Sequence, residues 1–227
     1  MLDLDGTLLD YHAAETAAVR ATLADAGLAP TRQLVADYRT INSRHWAALE
    51  RGETTGARLR VERWQELLAA HGVDAADPVD LARRYLDHLA TGAQLYDGAL
   101  EVVGELTADH AIAYLTNGLA DVQRPRLAAS GLADYADVVV ISDEVGAAKP
   151  DAAIFDAAFE QMGHPARDSV VMVGDSLSAD IAGGRGYGLT TVWLAGETAP
   201  EPGPTDPSPD HRITRLGELP PLVRERV

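Results

Sequence analysis

Short apolar runs that end at polar, glycine-bearing turns recur through the second half of the chain. Residues 111–115 stop at Thr116-Asn117-Gly118, residues 138–141 at Ser142-Asp143, residues 170–173 at Gly174-Asp175 and residues 190–194 at Ala195-Gly196. Each run is short, apolar and rich in β-branched residues, the pattern of parallel strands covered on both faces. Helical periodicity fills the intervals, as over residues 151–162. Alternating strands and helices predict an α/β fold built on a doubly wound, parallel, Rossmann-like sheet. Residues 11–93 carry no strand pattern. They read as amphipathic helices at 15–26, 32–49, 56–70 and 78–89, punctuated by Gly27, Gly52, Gly72 and Gly92. The expected organisation is a core of residues 1–10 and 94–227 interrupted by an all-helical cap of residues 11–93. Residues 201–209, rich in proline and acid, read as an exposed loop.

Composition narrows the possibilities. The 227 residues are 46% apolar, enough for a sizeable core. No apolar run of about 18 residues is present, so no membrane span is expected. No basic and apolar leader precedes the first motif, so a cytoplasmic protein is expected. The chain has no cysteine, which excludes disulfides, thiolate metal sites and a thiol nucleophile. A net charge of −16 disfavours nucleic-acid polymers as partners. A small anionic substrate remains compatible, because a bound cation can reverse the field in one cleft. Of 19 basic residues, 18 are arginine, and the single lysine is Lys149.

Ligands of open α/β sheets bind beyond the carboxyl ends of the strands, and four strand ends here carry reactive groups. In Asp3-Leu4-Asp5-Gly6-Thr7, alternation puts Asp3 and Asp5 on one side of an extended segment. One carboxylate can attack phosphorus while the other moves a proton. Two adjacent carboxylates also imply a cation. Thr116-Asn117-Gly118 offers a hydroxyl and an amide. Lys149-Pro150 sets an ammonium just before a helix N-terminus, which favours phosphate. In Gly174-Asp175-Ser176-Leu177-Ser178-Ala179-Asp180, Asp175 is placed to hold a metal, and Asp180 falls in the first turn of the next helix. Singly, each has an ordinary reading as an Asx turn, a helix cap, a solvated lysine or a dipole aspartate.

Taken together and in order, the motifs Asp-x-Asp-Gly-Thr, Thr-Asn, Lys-Pro and Gly-Asp-x-x-x-x-Asp resemble those of the haloacid dehalogenase superfamily in its helical-cap form. The resemblance implies Asp3 as nucleophile and Asp5 as general acid and then base. It implies Mg²⁺ held by the Asp3 side chain, the Asp5 backbone carbonyl and the Asp175 side chain, with Asp180 supporting the metal shell. Thr116, Asn117 and Lys149 would bind the phosphoryl group. True dehalogenases lack a carboxylate at the Asp5 position, and phosphonate hydrolases use a cap lysine that is absent here, so phosphate-ester hydrolysis is expected.

The stretch from Thr116 through Gln123, Arg126 and Leu127, with Val140 to Gly146, resembles the pyrimidine 5′-nucleotidase branch. So does the cap pattern Asn42, Trp46, Gly52, Leu59 and Arg63. It implies a nucleoside monophosphate substrate, with Asn42, Trp46 and Arg63 facing the leaving group and the chain a monomer or homodimer. Other readings stay open: phosphoglycolate or sugar-phosphate hydrolysis, a phosphomutase of the β-phosphoglucomutase kind, or an inactive binding protein on this fold. Two departures from the family pattern carry expectations of their own. Only Met1 and Leu2 precede Asp3, so the central strand is either cut short or begins upstream. Pro125 falls within an expected helix, which it should kink or begin.

Overall fold

Alternate residues of each buried run must find an apolar partner on opposite sides, and this gives the sheet its two faces. The computed structural model describes residues 1–196 and 199–224. In it β1 (Ala113–Thr116) pairs in parallel with β2 (Val138–Ile141). β3 (Val171–Gly174), β4 (Thr190–Leu194) and β5 (His211–Ile213) form a second parallel ladder. The first residues of the chain join the two. Leu2 bridges to Tyr114 on one side and to Val173 on the other. Leu2 N donates to Ala113 O at 2.8 Å, and Asp3 N donates to Val173 O at 2.9 Å. The spatial order β2, β1, residues 1–3, β3, β4, β5 is the 3-2-1-4-5-6 arrangement of a doubly wound sheet.

Tyr114 and Val173 enter one apolar cluster with Leu2, Leu4 and α5 (Ala99–Leu106). Ala113, Leu115 and Met172 enter the opposite cluster with Ile154 and Phe155 of α8 (Ala152–Gln161). A strand of only four residues can be this regular because both faces are covered.

The described residues divide into two compact units. One comprises Met1–Tyr11, Ala93–Ala120 and Leu127–Val227; the other comprises His12–Gly92 with Asp121–Arg126. In the helical unit the elements are α1 (Tyr11–Asp25), α2 (Arg32–Glu50), α3 (Gly56–Ala70) and α4 (Pro78–Thr91). Thr31, Thr55 and Asp77 cap the last three, each accepting a backbone N–H of the first turn. Tyr38, Trp64 and Tyr85 pack ring on ring at the centre, with centroids 4.5 to 5.7 Å apart.

Three local features depart from expectation. α6 (Ala120–Ser130) contains Pro125 beyond its first turn, so the proline does not begin this helix. Residues 142–145 after β2 form a single helical turn, α7 (Ser142–Val145). β5, three residues following the proline-rich loop, had no periodicity long enough to announce it. The remaining helices are α9 (Ala182–Tyr187) and α10 (Leu219–Arg224). Among the described residues no helix is long and apolar enough to cross a membrane.

Candidate active site

Asp3 ends the central strand, and the chain must turn sharply there to leave the sheet. Gly6 supplies the turn at φ 92°, and Thr7, Leu8 and Leu9 all donate backbone N–H groups to Leu4 O. A Cβ on Gly6 would overlap the Asp175 carboxylate, so glycine also lets the turn lie against β3. Thr7, fully buried, donates its hydroxyl to Asp3 Oδ2 at 3.2 Å and lies 3.5 Å from Asp175 Oδ1. Asp3 is buried, while Asp5, two residues further on, is half-buried.

Lys149 arrives from the loop before α8 and is 1% exposed. Its ammonium has three protons and uses all of them. It donates to Asp3 Oδ1 at 2.6 Å, to Leu115 O at 2.6 Å and to Asp180 Oδ1 at 2.7 Å. Burial opposes its charge, but the Asp180 and Asp3 carboxylates outweigh that and hold the ammonium above its ordinary range. The loop itself is fixed by Asn117, whose side chain donates to Lys149 O at 2.8 Å and accepts from Lys149 N at 2.7 Å. Gly118 N donates to Ser142 Oγ at 3.0 Å, which ties the ends of β1 and β2 together. Thr116, the last residue of β1, is fully buried.

After β3 the chain makes a π-helical turn over Leu177–Ile181. Asp180 folds back beneath it, accepting from Ser176 N at 2.9 Å as well as from Lys149. Gly174 has no side chain because the Asp180 carboxyl fills that space: a Cβ would sit 2.5 Å from Asp180 Cβ. Burial pushes the Asp180 carboxyl up to about 6, with Lys149 pulling it back and Asp3 pushing further. Asp175 is the solvent-facing member. Crowding by protein atoms and the charges of Asp3 and Asp180 raise it well above the usual carboxylate range, the Lys149 ammonium pulls it back, and its side chain borders a cavity. That cavity, of about 620 Å³, is bordered by Gly6, Asp10, Tyr96, Asp175 and Arg215.

Oxygens of Asp3, Asp175 and Asp180 lie within 4.8 Å of one another. Three carboxylates and one ammonium leave an excess of two negative charges when all are ionised. Hard oxygen donors with that excess suit a small divalent cation such as Mg²⁺.

A sheet of this order, with carboxylates and a lysine at its strand ends, can be compared with known proteins. The model of the haloacid dehalogenase-like hydrolases matches residues 1–188. The chain belongs to the haloacid dehalogenase-like hydrolase family. YfnB of Bacillus subtilis, an HAD-hydrolase, is 34% identical over 221 residues, covering 96% of this chain and 92% of its own. The crystal structure of YfnB, bound to magnesium, has a TM-score of 0.90 at 33% identity, covering 98% of this chain and 96% of that one. The pyrimidine 5′-nucleotidase YjjG of Escherichia coli is 35% identical over 190 residues, 82% of this chain and 81% of YjjG. PynA of Streptococcus pneumoniae, also a pyrimidine 5′-nucleotidase, is 34% identical over 194 residues, 85% of this chain and 81% of PynA. The family and these relatives make the chain an HAD-type phosphatase.

Within this haloacid dehalogenase-like hydrolase the structure brings Asp3, Lys149, Asp175 and Asp180 together. It puts Thr116 and Asn117 at the adjoining strand end. In the helical unit, Asn42 and Arg63 are 2% and 1% exposed. Asn42 Nδ2 donates to Glu15 Oε1 at 2.7 Å, and Arg63 Nη1 donates to Asn42 Oδ1 at 2.8 Å. The Arg63 guanidinium also lies 4.6 Å from the centre of the Tyr85 ring. Trp46 is half-buried. Three contributors escaped sequence reasoning: Thr7, the Ser176 amide and Trp193, whose indole N–H donates to Asp175 O at 2.8 Å. Thr7 was within reach as the last letter of the first motif. Trp193 had no signal beyond a bulky residue at a strand end.

Proposed function

We propose that this chain is a Mg²⁺-dependent phosphomonoesterase that works through an aspartyl-phosphate on Asp3, with pyrimidine nucleoside 5′-monophosphates as substrates. The observation that carries the chemistry is the placement of Lys149 Nζ, 2.6 Å from Asp3 Oδ1 and 2.7 Å from Asp180 Oδ1, beside Asp175. Mg²⁺, held by the Asp3 and Asp175 side chains and the Asp5 carbonyl with Asp180 in support, would neutralise charge on the phosphoryl oxygens. Lys149 and Thr7 fix the Asp3 carboxylate, leaving it one orientation from which to attack phosphorus. Asp5, less enclosed than Asp3, gives its proton to the departing ester oxygen and later takes one from the water that attacks the phosphorus of the aspartyl-phosphate, returning Asp3. Thr116 and Asn117 bind the phosphoryl group, and Lys149, whose three protons are already committed, acts on it through its charge. Asn117 binds it from a side chain that already fixes the Lys149 loop.

The likeness to YjjG and PynA over more than four-fifths of the chain supports a nucleotide substrate. Of the three helical-unit candidates, Trp46 keeps part of its ring exposed and is assigned the base. Asn42 and Arg63 join α2 to α3 in the interior of the helical unit. A phosphate-release screen with Mg²⁺ over UMP, dUMP, TMP, phosphoglycolate and sugar phosphates tests the reading. Preferred release from the pyrimidine nucleotides is the expected result. Preference for phosphoglycolate or a sugar phosphate would overturn the substrate, and isomerisation without release would overturn hydrolysis.

A further inference from the structure

Trp193 stands in register with Gly174 on one side and with Arg212 on the other, so one row crosses three strands at their carboxyl ends. Gly174 contributes no side chain to that row. The Trp193 indole, 6% exposed, reaches past it to the next residue and donates to Asp175 O at 2.8 Å. The N–H of the same peptide unit, that of Ser176, donates to Asp180 Oδ2 at 2.9 Å. A peptide plane is rigid, so gripping its carbonyl and its N–H fixes the direction in which the Asp175 side chain leaves the strand. That matters because the Asp175 carboxylate faces the cavity, and Thr7 Oγ1 at 3.5 Å is a long contact for holding it. From the far side the Arg212 guanidinium lies 5.2 Å from the indole centre and donates to Ala199 O at 2.6 Å, confining the ring.

We propose that Trp193 is a positioning residue whose indole N–H aims the Asp175 carboxylate at the cation it shares with Asp3. This rests on the Mg²⁺ reading above. The test is Mg²⁺ binding measured by titration calorimetry on the full chain without substrate, with metal-free melting temperature recorded alongside. Trp193→Phe keeps a ring and removes the donor. A second variant carries β-(3-benzothienyl)alanine at position 193, which keeps the bicyclic shape and replaces the N–H with sulfur. Both are expected to bind Mg²⁺ about five- to tenfold more weakly, the worth of one hydrogen bond. The benzothienyl variant, which keeps the packing of the ring, is expected to melt within about 4 °C of wild type, the shift that one lost hydrogen bond makes in a chain of this size. Mg²⁺ affinity equal to wild type in the benzothienyl variant would overturn the role given to Trp193, whatever happens to the melting temperature of Trp193→Phe. A wild-type chain that takes up no Mg²⁺ would overturn the metal reading itself, a distinct failure seen in the first titration.

Discussion

Replacing Lys149 with methionine removes a buried cation and leaves its two carboxylate partners facing each other. Methionine approximates the volume of the lysine stem, so the change reports charge rather than packing. The wild-type ammonium satisfies Asp3 Oδ1, Asp180 Oδ1 and Leu115 O at 2.6 to 2.7 Å, all buried. Breaking a buried pair by deleting one partner costs about 3–5 kcal/mol when the other stays charged. The cost must depend on pH. With Lys149 present, the Asp180 carboxyl already titrates at about 6, pushed up by burial. Without Lys149 its folded-state value rises further. A carboxyl whose folded value exceeds its unfolded value is favoured in its protonated form. Stability is then fullest below the unfolded value and falls as pH rises towards the folded one. Between pH 6 and 8 the variant should therefore lose up to about 1.4 kcal/mol per pH unit relative to wild type, or roughly 2–3 kcal/mol in all. Urea unfolding in EDTA at pH 5, 6, 7 and 8 measures this for both proteins. Parallel curves, or a difference below about 1 kcal/mol at pH 8, would refute the view that Lys149 neutralises this pocket.

Four further outcomes follow from the structure. Gly174→Ala places a methyl group in the space of an Asp180 carboxyl pinned by Lys149 and Ser176, and should cost about 3 kcal/mol and most of the turnover; a stable, active variant in denaturation and phosphate-release assays would show that Asp180 is not pinned. Asp175 and Asp180 are both raised, so metal-free stability should fall from about pH 4 to beyond pH 6. Because Mg²⁺ bound at these carboxylates would displace their protons, its thermal stabilisation should be larger at pH 8 than at pH 5.5 by differential scanning fluorimetry; a pH-independent shift would contradict it. Asn42→Ala removes two buried hydrogen bonds to Glu15 and Arg63 and should cost about 2–4 kcal/mol in urea unfolding; a loss under about 0.5 kcal/mol would show the network to be slack.

Much of this fold could be read from period and punctuation. The expected strand at residues 138–141 and that at 190–194 coincide with β2 and β4, and helix 56–70 with α3. Apolar runs of fixed length between turn residues leave little freedom there. β5 was hidden because three residues carry no period, and it is held by register with β4 rather than by its own pattern. The π-turn over Leu177–Ile181 was hidden for a different reason. It forms because Asp180 must fold back to reach both Lys149 and the Ser176 amide, and no local propensity encodes that demand. At the site, motif spacing marked the residues with charge but not those that aim them. Thr7 touches Asp175 at 3.5 Å across 168 residues of chain, and Trp193 donates to it across 18. The interlocking of Asn42 with Arg63 likewise depends on two helices meeting, which the spacing of either helix alone does not reveal.

The central claim is that Asp3 takes the phosphoryl group. Asp5→Asn should slow the water attack that clears it, while p-nitrophenyl phosphate, whose leaving group needs no acid, still loads it. Acid-quenching that variant with Mg²⁺ and p-nitrophenyl phosphate, then digesting it and measuring peptide masses, should find a phosphoryl increment on the peptide bearing Asp3, lost when Asp3→Asn is added. A phosphorylated peptide elsewhere in the chain, or turnover that persists in Asp3→Asn, would contradict the account.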